Sequence, residues 1–500
     1  MSRLLYPLAA AGVAGLFVFS CGNGKAPGQD GGDDGGEAGV VFTYAPAGCK
    51  YTVTPTHFGL SPASGNFQDT DGNDTLALDD TTAPTGDITP SLVRVGVGGG
   101  TDSSAAGYAD PRTTAAFMWE TPTPTHAAKV KIGTSPTSLT DVHTGYSWVT
   151  PKDLGTTTTN AHAVHVCGLT AGTTYYYPVG GGPTGSETWS AVQSFTTVPD
   201  TGSITVGVLG DARDDKGTWQ TVHERMLQAG VSIQLIPGDI VDLGASGDLW
   251  TLWLTQIWKD PNDSSKFLTL GQQLMVPIAG NHEGESSQFY GNWVVPGDGA
   301  YAGTYSSFDV GNTHFVMIDD QFATLQSDYT QDPAKTILAW LDADLNRANQ
   351  NRAKVPFIVA LNHRGLYSTS NHCTDGDVLA ARGQLAPIFD KYAVDAVFNG
   401  HDHEYERSNP LKAGSPPSGD PVVGSGTVYI ICAGAGAEPY AVGKITKPYS
   451  AKQVAFGTYN PQYIGTYALL TLSANTLKID AYGLKASGTD DVIDTLTLTH

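Results

Sequence analysis

The sequence predicts a multidomain chain, an all-β sandwich followed by an α/β domain. Three observations predict it. Between about residues 91 and 199, short runs of β-branched and aromatic residues alternate with polar ones and are broken by turn residues at sandwich spacing. From Ser203 onward the pattern becomes strand, loop, helix, the rhythm of an α/β sheet. Five short motifs then run in order through the second half, most of them closing an apolar, strand-like run: Gly210-Asp211-Ala212-Arg213, Gly238-Asp239-Ile240-Val241-Asp242, Gly280-Asn281-His282-Glu283, Asn362-His363 and Gly400-His401-Asp402-His403. Residues at the carboxyl ends of strands converge at one edge of such a sheet.

The elements follow in chain order. Arg3 and the apolar stretch 4–19 read as an export signal, since a transmembrane helix needs about 20 apolar residues. The stretch ends at Val18-Phe19-Ser20-Cys21, which resembles the lipobox of bacterial lipoproteins. That resemblance implies a lipoprotein signal peptide over 1–21, acylation of Cys21, and a lipid-anchored protein of the bacterial cell envelope, in the periplasm or at the cell surface. An ordinary cleaved signal peptide shares the same charged and apolar regions. Residues 22–40 are Gly/Asp-rich, cannot bury a core, and are expected to form a flexible linker. Residues 41–90 form a poorly defined β/loop segment. Its Asp69-Thr70-Asp71-Gly72-Asn73-Asp74 places glycine too early for an EF-hand and reads as an acidic turn.

Beside Cys21 stand Cys49, Cys167, Cys373 and Cys432, an even number suited to an oxidising compartment. Of three possible pairings, Cys49–Cys167 with Cys373–Cys432 is favoured, because each pair stays within one region; four free buried thiols are the alternative. With 49 acidic against 27 basic residues the chain carries a net charge of −22 and no basic stripe, which excludes nucleic acid as a partner. A small phosphorylated substrate stays open, because bound cations reverse the local field of an acidic protein.

In the sandwich region, Thr114, Ala116 and Met118 share one face of a strand, with Phe117 and Trp119 on the other. Lys129-Val130-Lys131-Ile132 alternates charged and apolar, as a half-buried strand does. His162-Ala163-Val164-His165-Val166 is a further short strand. A turn over Leu169-Thr170-Ala171-Gly172-Thr173 leads into Thr174-Tyr175-Tyr176-Tyr177. His162 and His165 read as surface and turn residues, since no second His or Cys pair stands nearby to complete a metal site.

In the α/β region, Ile204, Val206 and Val208 alternate and lead into Asp211. A helix follows with Trp219, Val222, Met226 and Leu227 on one face and Gly230 as its stop. Ile233-Gln234-Leu235-Ile236 leads into Asp239, and Leu274-Met275-Val276-Pro277-Ile278 into Asn281. A second helix carries Ile337, Leu338, Trp340, Leu341 and Leu345 and feeds Phe357-Ile358-Val359-Ala360-Leu361, which stops at His363. Ala396-Val397-Phe398 stops at Gly400-His401. The motifs offer only oxygen and imidazole ligands, the chemistry of a paired-metal site that hydrolyses phosphate esters.

The motif order Asp, Gly-Asp, Gly-Asn-His, His, Gly-His-x-His resembles the calcineurin-like metallophosphoesterases. Trp119-Glu120-Thr121, the stretch Gly168-Leu169-Thr170-Ala171-Gly172-Thr173-Thr174-Tyr175-Tyr176-Tyr177, Trp189-Ser190 and Gly400-His401-Asp402-His403-Glu404-Tyr405-Glu406-Arg407 make the branch similar to the purple acid phosphatases. The resemblance covers about residue 90 to the C-terminus. It implies a fibronectin type III-like domain over 91–199 and a metallophosphoesterase domain over 200–500, built as a ββ-sandwich flanked by helices. It further implies two metal ions, iron, manganese or zinc. Asp239 would bridge them, Asp211 and His403 would hold the first, and Asn281, His363 and His401 the second. The implied reaction is hydrolysis of phosphate monoesters by hydroxide generated on the metal pair. His282 would protonate the leaving oxygen or bind phosphate, and Arg213 would clamp a phosphate oxygen or else pair with Asp214 or Asp215.

Two departures from the family stand out. Asp242 occupies the position of the family tyrosine, and Arg213 the position of a glycine or histidine. Asp242 either substitutes for the lost ligand or caps the following turn, the second being favoured, and the metal-loaded protein is expected not to be purple. The alternatives are phosphodiester hydrolysis on the same metals, or a binding or adhesion lipoprotein with a lapsed site. Loops 369–377 and 433–440 are expected to shape the substrate pocket.

Overall fold

The apolar runs that end in the ligand motifs are strands, and they lie in two sheets that face each other. In the first sheet Ile204–Val208, Ile233–Ile236 and Leu274–Pro277 run parallel. In the second, Thr313–Ile318, Phe357–Leu361, Ala396–Asn399 and Val428–Cys432 run parallel. Strands buried on both faces have no reason to alternate, hence the continuous apolar sequences. Between the sheets Val206, Val208, Leu235 and Val276 meet Phe315, Val359, Phe398 and Ile430 in one core. Helices cover the outer faces, where Trp219, Val222, Met226, Ile337, Leu341, Leu385 and Phe389 are buried against Ile236, Ile358 and Ala360. This is the ββ-sandwich flanked by helices that the motifs imply.

The computed structural model describes residues 44–51, 84, 86–100, 108–123, 125, 128–150, 159–213, 216–260, 263–284, 286–294, 303–321 and 332–500. The expected signal peptide, Cys21, the linker 22–40, the acidic turn 69–74 and the pair Asp214 and Asp215 lie outside the described residues.

The expected helices form over Lys216–Gln228 and Asp332–Gln350. Gly230 stops the first with a left-handed φ of 66°. Leu227 departs from expectation and is exposed. It follows Met226 directly, about 100° further round the helix, and Met226 takes the core side.

The N-terminal β region forms as strands Ser91–Gly96, Thr114–Thr121, Lys129–Ile132, Thr159–Cys167 and Thr174–Tyr177, among others. Four of its strands extend the first sheet to ten, through the parallel neighbours Gly96 and Met275. Phe117, Tyr177 and Phe195 pack together and join the core between the sheets, with ring centroids 4.5 to 5.9 Å apart.

Two expectations need correction here. His162 and His165 are buried in mid-strand, not at the surface. His162 is satisfied by Thr121 Oγ1 at 2.9 Å and Ser147 Oγ at 2.7 Å; His165 Nδ1 meets Tyr51 Oη at 2.9 Å, while its buried Nε2 has no hydrogen-bond partner. Those neighbours lie far off in sequence, so spacing does not show them. The second correction concerns cysteine. Cys49–Cys167 is a disulfide with Cα atoms 5.2 Å apart, but Cys373 and Cys432 are separate buried thiols. Cys432 belongs to the inter-sheet core beside Val208, while Cys373 lies in the turn after His372, so they occupy different layers.

Candidate metal centre

All five motifs meet at the carboxyl edge of the two sheets. Asp211 and Asp239 follow strands of the first sheet, and His363, His401 and His403 follow strands of the second. These five side chains are buried, whereas Asn281 is exposed and marks the open side of the site. The strand ends turn sharply: Asp211, Asp239 and His401 have φ of 61°, 52° and 73°. Residues held in this region cluster at functional sites, because the surrounding structure must over-determine them. The motif glycines have a steric reason. A Cβ on Gly238, itself at φ 89°, would lie 2.6 Å from His363 Nδ1, and one on Gly400 would strike Asp211 and His363.

Each predicted ligand has a defined place. His363 Nε2 lies 2.9 Å from Asn281 Oδ1 and 3.3 Å from Asp239 Oδ1. His401 Nδ1 lies 2.8 Å from the same Asn281 oxygen. His403 Nε2 faces Asp211 Oδ1 at 3.6 Å. One ligand atom from each of Asp211, Asp239 and His363 falls within 4.8 Å of the others. His282 and Arg213 stand at the rim. The His282 main-chain N–H donates to Asp239 Oδ1 at 3.0 Å, and its Nε2 is 3.9 Å from Asp239 Oδ2. Arg213 donates to Asp242 at 2.7 Å, so Asp242 anchors an ion pair in addition to its place in the turn.

The donor set fits cations on its own geometry. His363 Nδ1–H donates to the Pro237 carbonyl at 2.8 Å and His403 Nδ1–H to the Glu438 carbonyl at 2.6 Å. Anchoring Nδ1 on a backbone carbonyl leaves Nε2 to serve as a ligand, the usual arrangement around metal-bound histidine. His363 Nε2 faces two oxygens, a contact that needs positive charge between them, a proton in the free site or a cation in the loaded one. Asp211 Oδ2 and His401 Nε2 are buried with no hydrogen-bond partner, which a bound ion would satisfy.

The titration behaviour expresses the same demand. Burial alone would lower His363, but Asp239 and Asp211 outweigh it and lift the imidazole to about 10. Burial and Asp239 hold Asp211 well above the usual carboxylate range. Burial depresses His403 to about 3 and pushes His401 down, the latter with help from His363 and His372. A bound cation would invert the preference of Asp211 and of His363.

Three residues escaped sequence reading. Glu283 is buried beneath the loop and accepts from the main-chain N–H groups of Asp239, Ile240, Val241 and Gly280 at 2.8 to 3.0 Å. Burial and Asp239 raise it to about 7, against those hydrogen bonds. It ties the second motif to the third; its place directly after Asn281-His282 was the only signal. His372 packs against His401 with ring centroids 4.3 Å apart and pairs its Nδ1 with Asp375 at 2.8 Å. Tyr440 stacks on His403 at 4.2 Å. Both lie in loops, where no periodicity marks a residue, although those loops were expected to line the pocket.

Residues 204–405 match the calcineurin-like phosphoesterase family, and residues 103–197 match the purple acid phosphatase N-terminal domain. The chain thus carries a calcineurin-like phosphoesterase domain behind a purple acid phosphatase N-terminal domain. This purple acid phosphatase-like chain is 28% identical to purple acid phosphatase 18 of Arabidopsis thaliana, over 60% of its own length and 65% of that protein's. It is 30% identical to purple acid phosphatase 22 of the same plant, over 49% and 53%. With acid phosphatase type 7 of Homo sapiens the identity is 30%, over 35% and 43%. The matches therefore span less than two thirds of each of these relatives. In fold the chain is similar to a purple acid phosphatase from yellow lupin seeds, with a TM-score of 0.63 at 18% identity over 82% of this chain and 74% of that one. It is also similar to the structure of PhoD, with a TM-score of 0.58 at 13% identity over 83% and 92%.

Proposed function

We propose that this protein is a metal-dependent phosphoric ester hydrolase that acts on phosphate monoesters with two metal ions. The observation that carries the reading is the convergence of Asp211, Asp239, Asn281, His363, His401 and His403, with the Nε2 atoms of His363 and His403 turned inward. Asp239, grouped with both Asp211 and His363, would be the ligand shared by the pair. A cation pair in such a site supplies Lewis acidity to the phosphoryl oxygens and lowers the pKa of a water.

The chain's own residues handle the rest. His282 Nδ1–H donates to the Asp242 carbonyl at 2.6 Å, which fixes the ring and leaves Nε2 facing the site. A proton at that Nε2 is placed for a leaving oxygen. His372, restrained by Asp375 and 3.4 Å from the Tyr440 hydroxyl, packs on His401 and adds a polar group on that side of the site. Arg213 supplies a permanent positive charge at the rim.

The test is elemental analysis of the purified protein beside paired assays on a monoester and a diester chromogenic substrate. Two equivalents of metal with monoester turnover support the reading. Stoichiometric metal with hydrolysis of neither ester returns the protein to a binding role. Asp242 in place of the family tyrosine leaves no phenolate at that position, so the loaded protein should lack an intense visible charge-transfer band.

We also propose export and lipid attachment through Cys21. The Cys49–Cys167 disulfide supports an oxidising compartment. Fatty-acid labelling lost in Cys21→Ser would support the anchor; retained labelling would refute it.

A further inference from the structure

Arg213 of the first motif and Asp242 of the second touch each other. Arg213 lies two residues beyond Asp211, at a left-handed φ of 34°. Asp242 lies three residues beyond Asp239. Arg213 Nε and Nη2 both donate to Asp242 Oδ1, at 3.1 and 2.7 Å. The guanidinium side chain is only 16% exposed, whereas Asp242 is 47% exposed. Arg213 thus stands at the rim on the Asp211 side of the site, two residues along the chain from that aspartate. Asp242 also holds the second rim residue: its carbonyl accepts from His282 Nδ1 at 2.6 Å, and its Oδ1 is 3.6 Å from that nitrogen. One residue thus orients two phosphate-handling side chains, Arg213 through its carboxylate and His282 through its main chain.

We propose that Asp242 is a positioning residue that sets Arg213 and His282 against one phosphoryl group, making Arg213 the receptor for the third non-bridging oxygen of a phosphate monoester. The inference rests on the metal-dependent reading above.

The chemistry is a count of oxygens. A monoester carries three non-bridging oxygens and a diester two. Two cations offer two Lewis-acidic positions, which leaves one monoester oxygen for donors from the protein. The planar guanidinium fork suits that oxygen better than an ammonium does, and it stays charged at any working pH. A diester presents an ester group there, which accepts poorly and carries a bulky substituent. An acidic partner beside an anion site is intelligible on the same terms. An arginine side chain loses about 2 kcal/mol of rotamer entropy when it is ordered, and Asp242 orders it in advance. The carboxylate is itself half in water, where screening limits its repulsion of the substrate.

The experiment uses the full, metal-loaded chain and the variants Arg213→Ala, Arg213→Lys, Asp242→Ala, Asp242→Asn and the double alanine variant. Two readouts are taken: the ratio of kcat/KM for an aryl phosphate monoester to that for a bis-aryl diester, and the equilibrium Kd for inorganic phosphate. Metal content at the wild-type level shows that the site is intact. Arg213→Ala should lower the monoester-to-diester ratio about tenfold or more and weaken phosphate binding by a similar factor, the scale of one lost charge-assisted hydrogen bond. Arg213→Lys should recover only part of this. Asp242→Ala, which keeps the carbonyl that holds His282, should raise the monoester KM more than it lowers kcat, and Asp242→Asn should lie between. The double variant should be no worse than Arg213→Ala, because Asp242 acts through Arg213. Equal losses on both esters, or additive losses in the double variant, overturn the proposal. A wild-type protein that hydrolyses neither ester defeats the enzymatic reading instead. The phosphate comparison then still decides the role of Arg213, since unchanged affinity in Arg213→Ala overturns it.

Discussion

At the scale of single residues, the candidate site is bought with backbone strain. Asp211, Asp239 and His401 all hold positive φ, each at a cost of about 1–3 kcal/mol. Aspartate, asparagine and histidine tolerate this region better than other side chains. The tolerance makes Asp239→Asn a clean probe, because asparagine keeps the conformation and removes only the charge. Bound metal should fall by at least about tenfold to a hundredfold in affinity, the loss caused even by outer partners of metal sites, and turnover should disappear with it. Wild-type metal content and activity in that variant would refute the bridging role. His282→Ala should behave in the opposite way. Turnover should fall about 10²- to 10⁴-fold, the usual share of a general acid, with metal content near wild type by elemental analysis. Loss of metal there would show that His282 is a ligand.

At the scale of elements, the strands that lead into the motifs and the helices Lys216–Gln228 and Asp332–Gln350 were legible, because their apolar residues recur at periods of 2 or 3.6, or form unbroken runs. The helices Gly247–Trp258 and Gly376–Lys391 and the strands Gly465–Ser473, Thr476–Leu484 and Asp491–Thr499 were not read from the sequence. The six candidate ligands were legible because they close the apolar runs. Pairings between distant elements were not. Nothing local marks His162 as the partner of Ser147, or Glu283 as the acceptor of four main-chain N–H groups. His314 is the sharpest case. It lies directly across the hairpin from Asp309 and binds it at 2.7 Å through Nδ1, while Nε2 binds Asp344 of the helix Asp332–Gln350 at 2.9 Å. Arg347 and Ser307 complete the cluster on Asp344. Burial would lower His314, but Asp344 and Asp309 prevail and raise it to about 9. The folded value therefore lies above the unfolded one, near 6.5. The imidazolium stabilises fully below about pH 6.5, and the contribution disappears as pH rises through about 9. Its size is on the order of 3 kcal/mol. Urea unfolding of wild type and His314→Gln should differ most near pH 6 and converge above pH 9; a gap that widens with pH would contradict this account.

At the scale of the whole molecule, the N-terminal β region is part of the frame that holds the site. Its strand Ser91–Gly96 lies parallel beside Leu274–Pro277, the strand that ends in Asn281. Arg94, wholly buried, crosses from that strand to the far side of the same loop. It donates to the Asn292 carbonyl at 2.8 Å and side chain at 3.2 Å, to the Leu92 carbonyl at 2.9 Å and to Glu120 at 3.1 Å. Asn292 ends the short helix Ser287–Asn292, which follows Asn281, His282 and Glu283 by a few residues. Removing one partner of a buried, hydrogen-bonded pair costs about 3–5 kcal/mol, because the other charge stays behind without compensation. Arg94→Ala should therefore lower stability by that amount in urea unfolding, and it should loosen the third motif although no ligand is touched. Metal affinity should fall with it, while a substitution of equal stability cost on the outer strand Asp491–Thr499 should leave metal affinity unchanged. Equal metal binding in the two variants would mean that the N-terminal region stands beside the catalytic frame without supporting it.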